Sequence, residues 1–161
     1  MSIPAPFVSS VMSIDPAWID YNGHMNMAYH TVLFDRCADE AYGLLGFGPE
    51  YAEKRRLTTY TAEFHICYLR ELHLDSKVRC TFQLLDYDEK RLHLFQELRH
   101  VDGWVAATGE TLALHIDMNG PKVTPFPPDI VEKLRAMREA HAVLPWPARA
   151  GRSIGIPRKT A

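Results

Sequence analysis

The hydrophobic period of this chain changes once, and that change limits what it can fold into. From residue 27 to 45 the spacing is helical: Leu33, Cys37, Ala41 and Leu45 recur at four-residue steps, and Phe34, Ala38 and Leu44 widen the stripe. Asp35, Arg36, Asp39 and Glu40 take the opposite face, with Arg36 and Glu40 spaced as a favourable pair. Asn26 is a good N-cap, and "GFGPE" at 46–50 ends the helix with two glycines and a proline. At 1.5 Å per residue such a helix is about 28 Å long, enough to cross a small sheet.

After it the period is two. In 58–69, Tyr60, Ala62, Phe64, Ile66 and Tyr68 alternate with Thr59, Thr61, Glu63, His65 and Cys67. In 77–84, Val78, Cys80, Phe82 and Leu84 alternate with polar residues, and 91–98 continues with Leu92, Leu94 and Leu98. The 104–117 segment is apolar on both faces, as a central strand is, and its Gly109 reads as a bend or bulge. Short polar connectors, "DYDEK" and "HVDG", make neighbouring strands antiparallel. A short β-leaning run at 7–14 precedes the long helix. A second helix at 127–140 starts on proline and carries Ile130, Val131, Leu134 and Met137 as its stripe. One long helix and a run of long antiparallel strands define an α+β chain, in which the sheet wraps the 27–45 helix.

With 161 residues the pattern fits one domain, 1–161, with a core over about 7–140. A net charge of -2 gives no pull toward nucleic acid, and no apolar run approaches the ~18 residues of a membrane span. The N-terminus lacks a secretory pattern, so a cytoplasmic protein is expected. Cys37, Cys67 and Cys80 are odd in number and widely spaced, which favours core thiols over a metal knot. The tail 142–161 carries Arg149, Arg152, Arg158 and Lys159 and no acid. It reads as a solvated or loosely docked terminus, with a phosphate contact as the alternative.

The densest chemistry precedes the long helix, in "WIDYNGHMN" at 18–26. An activated acyl carbonyl needs a carboxylate to attack it or to activate water, and donors to hold the oxyanion. Asp20 supplies a carboxylate in the loop, Gly23 permits a tight backbone approach, and the first amides of a helix have no internal acceptors. His24 reads either as a loop cross-link or as a group that polarises a bound carbonyl or orients Asp20. Asn26 reads first as the cap, with its side chain close to the oxyanion position.

The order strand, "DYNGHMN" loop, long helix, four long strands resembles the hotdog-fold acyl-CoA thioesterases of the 4-hydroxybenzoyl-CoA thioesterase type, over roughly 7–140. With "YTAEFHICYLRE" and "DEKRLHLFQ", the string is most similar to the betainyl-CoA thioesterases of carnitine breakdown. The resemblance implies Asp20 as the catalytic carboxylate, with His24 and Asn26 beside it, and a site role for Glu63 in "YTAEF". It implies an acyl-CoA substrate, no separate cofactor and no metal. Where the 4-hydroxybenzoyl pattern has a tyrosine seven residues after the aspartate, this chain has Met27, which argues against an aromatic acyl group. A betaine would need aromatic faces for its trimethylammonium, and Trp18, Tyr21, Tyr29, Tyr60 and Tyr68 are the supply, with Trp18 and Tyr21 flanking Asp20. Arg70, Lys90 and Arg91 are the candidates for the coenzyme's phosphates.

Three other classes share parts of the pattern. They are a hotdog dehydratase using His24, a non-catalytic acyl-CoA-binding module, and a metal hydrolase built on Asp20, His24 and His30. A single sheet around one helix also leaves edges exposed, so a homodimer or homotetramer with sheets joined edge to edge is expected.

Overall fold

In the computed structural model, which describes residues 3–158, the long helix begins one turn later than its apolar stripe suggests. The strands β1 (Phe7–Val8) and β2 (Met12–Ser13) replace the single run expected at 7–14. A 3-10 turn at Met27–Tyr29 then leads into α1 (His30–Leu45). The cause is local: Asn26 Oδ1 accepts the Ala28 amide at 3.0 Å and its carbonyl accepts that of Tyr29 at 3.2 Å, which tightens the first turn. Gly46, at φ 85°, ends α1 in the left-handed conformation that glycine adopts without strain.

A short helix, α2 (Pro49–Arg55), follows directly, starting inside the 46–50 stretch whose sequence signals an ending. Its signals were present, with Pro49 in the first turn, Glu50 beside it and Lys54 and Arg55 in the last. So short a helix persists by docking: Tyr51 is buried with its hydroxyl 2.9 Å from His115 Nε2, and Arg55 forks onto Asp129 at 2.8 and 2.9 Å. There follow β3 (Leu57–Tyr68), β4 (Lys77–Tyr87), β5 (Arg91–His100), β6 (Val105–Asp117), β7 (Lys122–Val123) and α3 (Pro128–His141).

Among the described residues these seven strands form one antiparallel sheet in the order β1-β4-β5-β6-β3, with β2 also on β4 and β7 on β6. The sheet wraps α1, whose Leu33, Phe34, Cys37, Ala41 and Leu45 are buried against Phe82, Leu94, Leu98 and Ala107. This is the expected hotdog arrangement. Gln96 is polar on that inner face, and its Nε2 donates to the Phe34 carbonyl at 2.9 Å, so nothing buried is left unpaired there. Ile130, Leu134 and Met137 of α3 are buried as expected, whereas Val131 is exposed and lies outside the stripe.

Strand β3 departs from the simple alternation. A register shift between Thr61 and Glu63 leaves Ala62 without an opposite residue, and such a bulge flips every side chain beyond it to the other face. Thr59 and Thr61 oppose His115 and Ala113 on the inner face, and beyond the bulge Phe64 and Ile66 oppose Thr111 and Gly109 there. Tyr60, Glu63, His65 and Cys67 therefore face outward, and Tyr60 does not share a face with Phe64. Cys37 and Cys80 are core thiols, but Cys67 is only half-buried on the outer face.

Gly109 marks no bulge, since β6 runs through it in register. A Cβ there would stand 2.7 Å from Phe64 and 3.3 Å from Phe34, the edge-to-face pair that joins β3 to α1. Glycine is needed for the close approach of the Phe64 ring. Gly109→Val is expected to cost about 1–3 kcal/mol by overpacking. An unchanged urea midpoint would show that the aromatic pair moves aside freely.

Candidate active site

The Asp20 loop is a backbone reversal stapled at its base. Ile19 bridges Met25, Asp20 N–H donates to the His24 carbonyl at 3.2 Å, and Asn26 N–H donates to the Trp18 carbonyl at 2.9 Å. Gly23 sits at φ 82°, a conformation costly for other residues, and its N–H closes the turn onto the Asp20 carbonyl at 3.0 Å. Met25 N–H donates to Leu72 O at 2.7 Å, which ties the loop to the segment after β3.

This reversal aims the Asp20 carboxylate at two donors. Oδ1 accepts the Asn22 amide at 2.9 Å and Oδ2 accepts Asn26 Nδ2 at 2.9 Å. The Asn22 bond first, and then the Asn26 bond, hold its carboxyl below the usual carboxylate range, so Asp20 is ionised at neutral pH. Asn26 is thus both cap and positioning residue, because its Oδ1 takes the helix amide while its Nδ2 holds Asp20.

The helix mouth offers fewer amides than an α-helical start. Ala28 N–H is capped by Asn26, Tyr29 N–H goes to Asn26 O, and His30 N–H to Met27 O. In this turn the Met27 amide alone has no acceptor among the described residues, and it follows Asn26 directly. Tyr68, at the end of β3, donates its hydroxyl to Met27 O at 3.1 Å and stands edge-on to the buried His30 ring. His30 Nδ1 in turn lies 3.3 Å from Asn26 O, and burial lowers its pKa. By sequence His30 is only a metal candidate. Its spacing four residues after the cap was the signal that it braces the loop from below.

The remaining site candidates fall in several places. The His24 ring makes no hydrogen bond to Asp20. It lies 3.4 Å from Met25 O and 3.7 Å from Glu71, edge-on to His73. Trp18 is buried, stacked on Tyr29 at 5.5 Å and covered by the Arg36 guanidinium at 5.3 Å, so its ring is engaged within the chain. Tyr21, by contrast, is 97% exposed beside Asp20. Glu63 faces outward on β3, about 16 Å along the strand from Tyr68 at 3.3 Å per residue, so one chain does not bring it to Asp20. Arg70 lies at the Asp20 end of the sheet, over the Trp104 ring at 4.1 Å. Lys90 and Arg91 lie at the opposite end, paired with Glu89 and Asp88, about 30 Å away along β5. Among the described residues no cluster of three or more His, Cys, Asp or Glu side chains could hold a metal ion. No helix among them is long and apolar enough to cross a membrane.

A groove of about 900 Å³ runs between α1 and β3, beginning at Thr31 and lined by Phe34, Asp35, Asp39, Tyr42 and Phe64. Asp20 is not in its wall, yet the groove starts one turn from the helix mouth. The Asp35 and Asp39 carboxylates have no ion pair or hydrogen bond among the described residues. Partial burial, and then the neighbouring Asp35 charge, raise the Asp39 pKa, as like charges four apart on a helix repel.

A sheet wrapped on one long helix is the hotdog arrangement, and the comparisons give the family. Residues 14–134 match the family model of the thioesterase-like superfamily, and the chain belongs to that superfamily. It is an acyl-CoA thioesterase. It is 33% identical to a betainyl-CoA thioesterase of Pseudomonas aeruginosa, over 88% of this chain and 90% of that one. It is 38% identical, over 90% of its length, to an L-carnitine dehydrogenase/betainyl-CoA thioesterase of Rhizobium meliloti, of which it spans 29%. Among solved structures, the hypothetical protein SAV2348 from Staphylococcus aureus, in complex with CoA, superposes with a TM-score of 0.88 at 29% identity, covering 98% of this chain and 99% of that one. A putative thioesterase from Pseudomonas putida KT2440 gives 0.82 at 29% identity, covering 98% and 100%.

Proposed function

We propose that this thioesterase hydrolyses a short acyl-CoA whose acyl group carries a quaternary ammonium, with Asp20 as the reacting carboxylate. One observation carries the assignment of Asp20: its carboxylate is held by Asn22 and by Asn26, and Asn26 directly precedes the Met27 amide, which has no acceptor among the described residues. A thioester oxygen received by that amide presents its carbonyl carbon to the carboxylate. Two balanced routes follow. Asp20 attacks, expelling CoA thiolate and leaving an anhydride that water cleaves; or it takes a proton from water as hydroxide adds, and returns that proton to the leaving thiolate. Both give the free acid and CoA.

The betainyl reading draws on the names of the curated relatives and on two features of the chain. Tyr21 offers a fully exposed aromatic face next to Asp20, and the α1–β3 groove holds two carboxylates, Asp35 and Asp39, whose repulsion a bound cation relieves. Arg70 is the one proposed coenzyme contact at the Asp20 end. Since β3 is a 12-residue strand with an unpaired outer edge, the working unit is proposed to be at least a dimer joined along β3. Incubation with a panel of acyl-CoAs, following free thiol, tests the reaction class. Stoichiometric thiol release is expected, and conversion of a hydroxyacyl-CoA to an enoyl-CoA with no thiol released would mark a dehydratase.

A further inference from the structure

The segment after α3 is loosely docked over residues 142–151, and its contacts run in a consistent direction. Leaving His141, it crosses the outer face of its own sheet strand by strand. The Pro145 carbonyl accepts Gln83 Nε2 of β4 at 3.3 Å, and Trp146 stands edge-on to His93 of β5. Gly151 N–H then donates to both oxygens of Glu110 on β6, at 3.0 and 2.8 Å, while Glu110 also holds His93 at 2.7 Å. The only strand of the path still ahead is β3, where His65 is the residue opposite Glu110.

Beyond Arg152, whose N–H meets the Arg149 carbonyl at 3.4 Å, no hydrogen bond among the described residues ties the tail to the sheet. Residues 152–158 are all exposed and lie in no helix or strand, Ile154 at 91% and Ile156 at 82%. Extended, these seven residues reach about 23 Å, whereas one further strand occupies only about 4.8 Å. Two isoleucines spaced by two project to the same side of an extended segment, a pattern that a solvated tail has no use for. Arg152 and Arg158 flank them, and no acid lies between His141 and Arg158 to balance the charge.

We infer that residues 152–158 of one copy cross the β3 seam and dock on the outer face of a second copy, with the second tail doing the same in return. The inference rests on the β3-edge pairing proposed above, since that pairing continues the outer face directly in the tail's path. The receiving surface is complementary. Tyr60, 48% exposed, faces outward beside the half-buried Leu112 and Leu114, and Glu63 faces outward with no ion pair or hydrogen bond among the described residues. Ile154 and Ile156 match the apolar patch, and Arg152 or Arg158 matches Glu63. Glu63 thus acquires a cationic partner across the seam.

The test uses the full chain with Ile154→p-benzoylphenylalanine, irradiated and resolved on a denaturing gel. The expected result is a covalent dimer band whose cross-linked peptides fall within 57–65 or 110–116. Cross-links within one chain only, or to α1 or α3, from protein that light scattering shows to be dimeric, would overturn the tail docking alone. A monomer at micromolar concentration would overturn the seam and the docking together. Independently, the pair Ile154→Asp and Ile156→Asp should raise the dimer dissociation constant tenfold or more by sedimentation, and an unchanged constant would count against the docking. Thiol release by the cross-linked dimer reports separately on the catalytic reading, which can fail while the docking stands.

Discussion

Asp20→Asn will lower kcat for acyl-CoA hydrolysis by about a hundredfold or more while leaving the fold in place. The substitution keeps the oxygen that accepts the Asn22 amide and sets an amide against Asn26 Nδ2, so the loop loses one solvent-exposed hydrogen bond. The turn itself is held by backbone bonds that the change does not touch. The pH profile carries the same signature. Because the folded pKa of Asp20 lies below its ordinary value of 3.8, activity persists down through that value and is lost only as pH falls below it. Asn26→Ala removes one of the two donors, so its acid limb should move upward. Near-wild-type turnover by the Asp20→Asn protein would remove Asp20 from the mechanism, whatever the profile of Asn26→Ala.

Betainyl-CoA will be hydrolysed with a kcat/KM at least about tenfold above that of 3,3-dimethylbutyryl-CoA, which has the same shape and no charge. A desolvated aromatic face contributes roughly 1–2 kcal/mol to a quaternary cation, and about 1.4 kcal/mol is tenfold. Tyr21→Leu should shrink that ratio while sparing the neutral substrate. Asp35→Asn with Asp39→Asn should shrink it further if the cation lies in the α1–β3 groove. Trp18→Leu, attractive from sequence, is a poor probe, since it removes a buried ring that stacks on Tyr29. Equal or faster turnover of neutral or long-chain acyl-CoAs would sink the cationic reading and leave the thioesterase assignment standing.

The α+β class, the wrapped helix and the Asp20 loop were legible because each is a local or strictly periodic signal. The stripe Leu33–Cys37–Ala41–Leu45 fits only a helix with one buried face, and that face needs the period-two strands that follow. The loop's Asp, Gly, His and Asn are turn and cap chemistry compressed into seven residues, whose geometry is decided within those residues. The cap also shows where legibility stops. Asn26 was visible as a cap, but that its amide nitrogen would turn back onto Asp20 depended on the reversal of 19–25.

Elsewhere the deciding partners are remote in sequence. The bulge at Ala62 is set by β6, not by β3's own alternation, so the sequence placed Tyr60 with Phe64 on one face when the sheet puts them on two. Gly109 looked like a bend because a glycine's own signal is only conformational. Its function is to leave room for Phe64, which lies forty-five residues earlier in the chain. The α2 helix is too short to persist on propensity and exists because Tyr51 meets His115 and Arg55 meets Asp129. By itself, then, the sequence determined the period of each element, the chemistry of the loop and the family. Which face each side chain takes, which aromatic ring is free, and where the tail runs were decided by contacts between residues that only the closed sheet brings together.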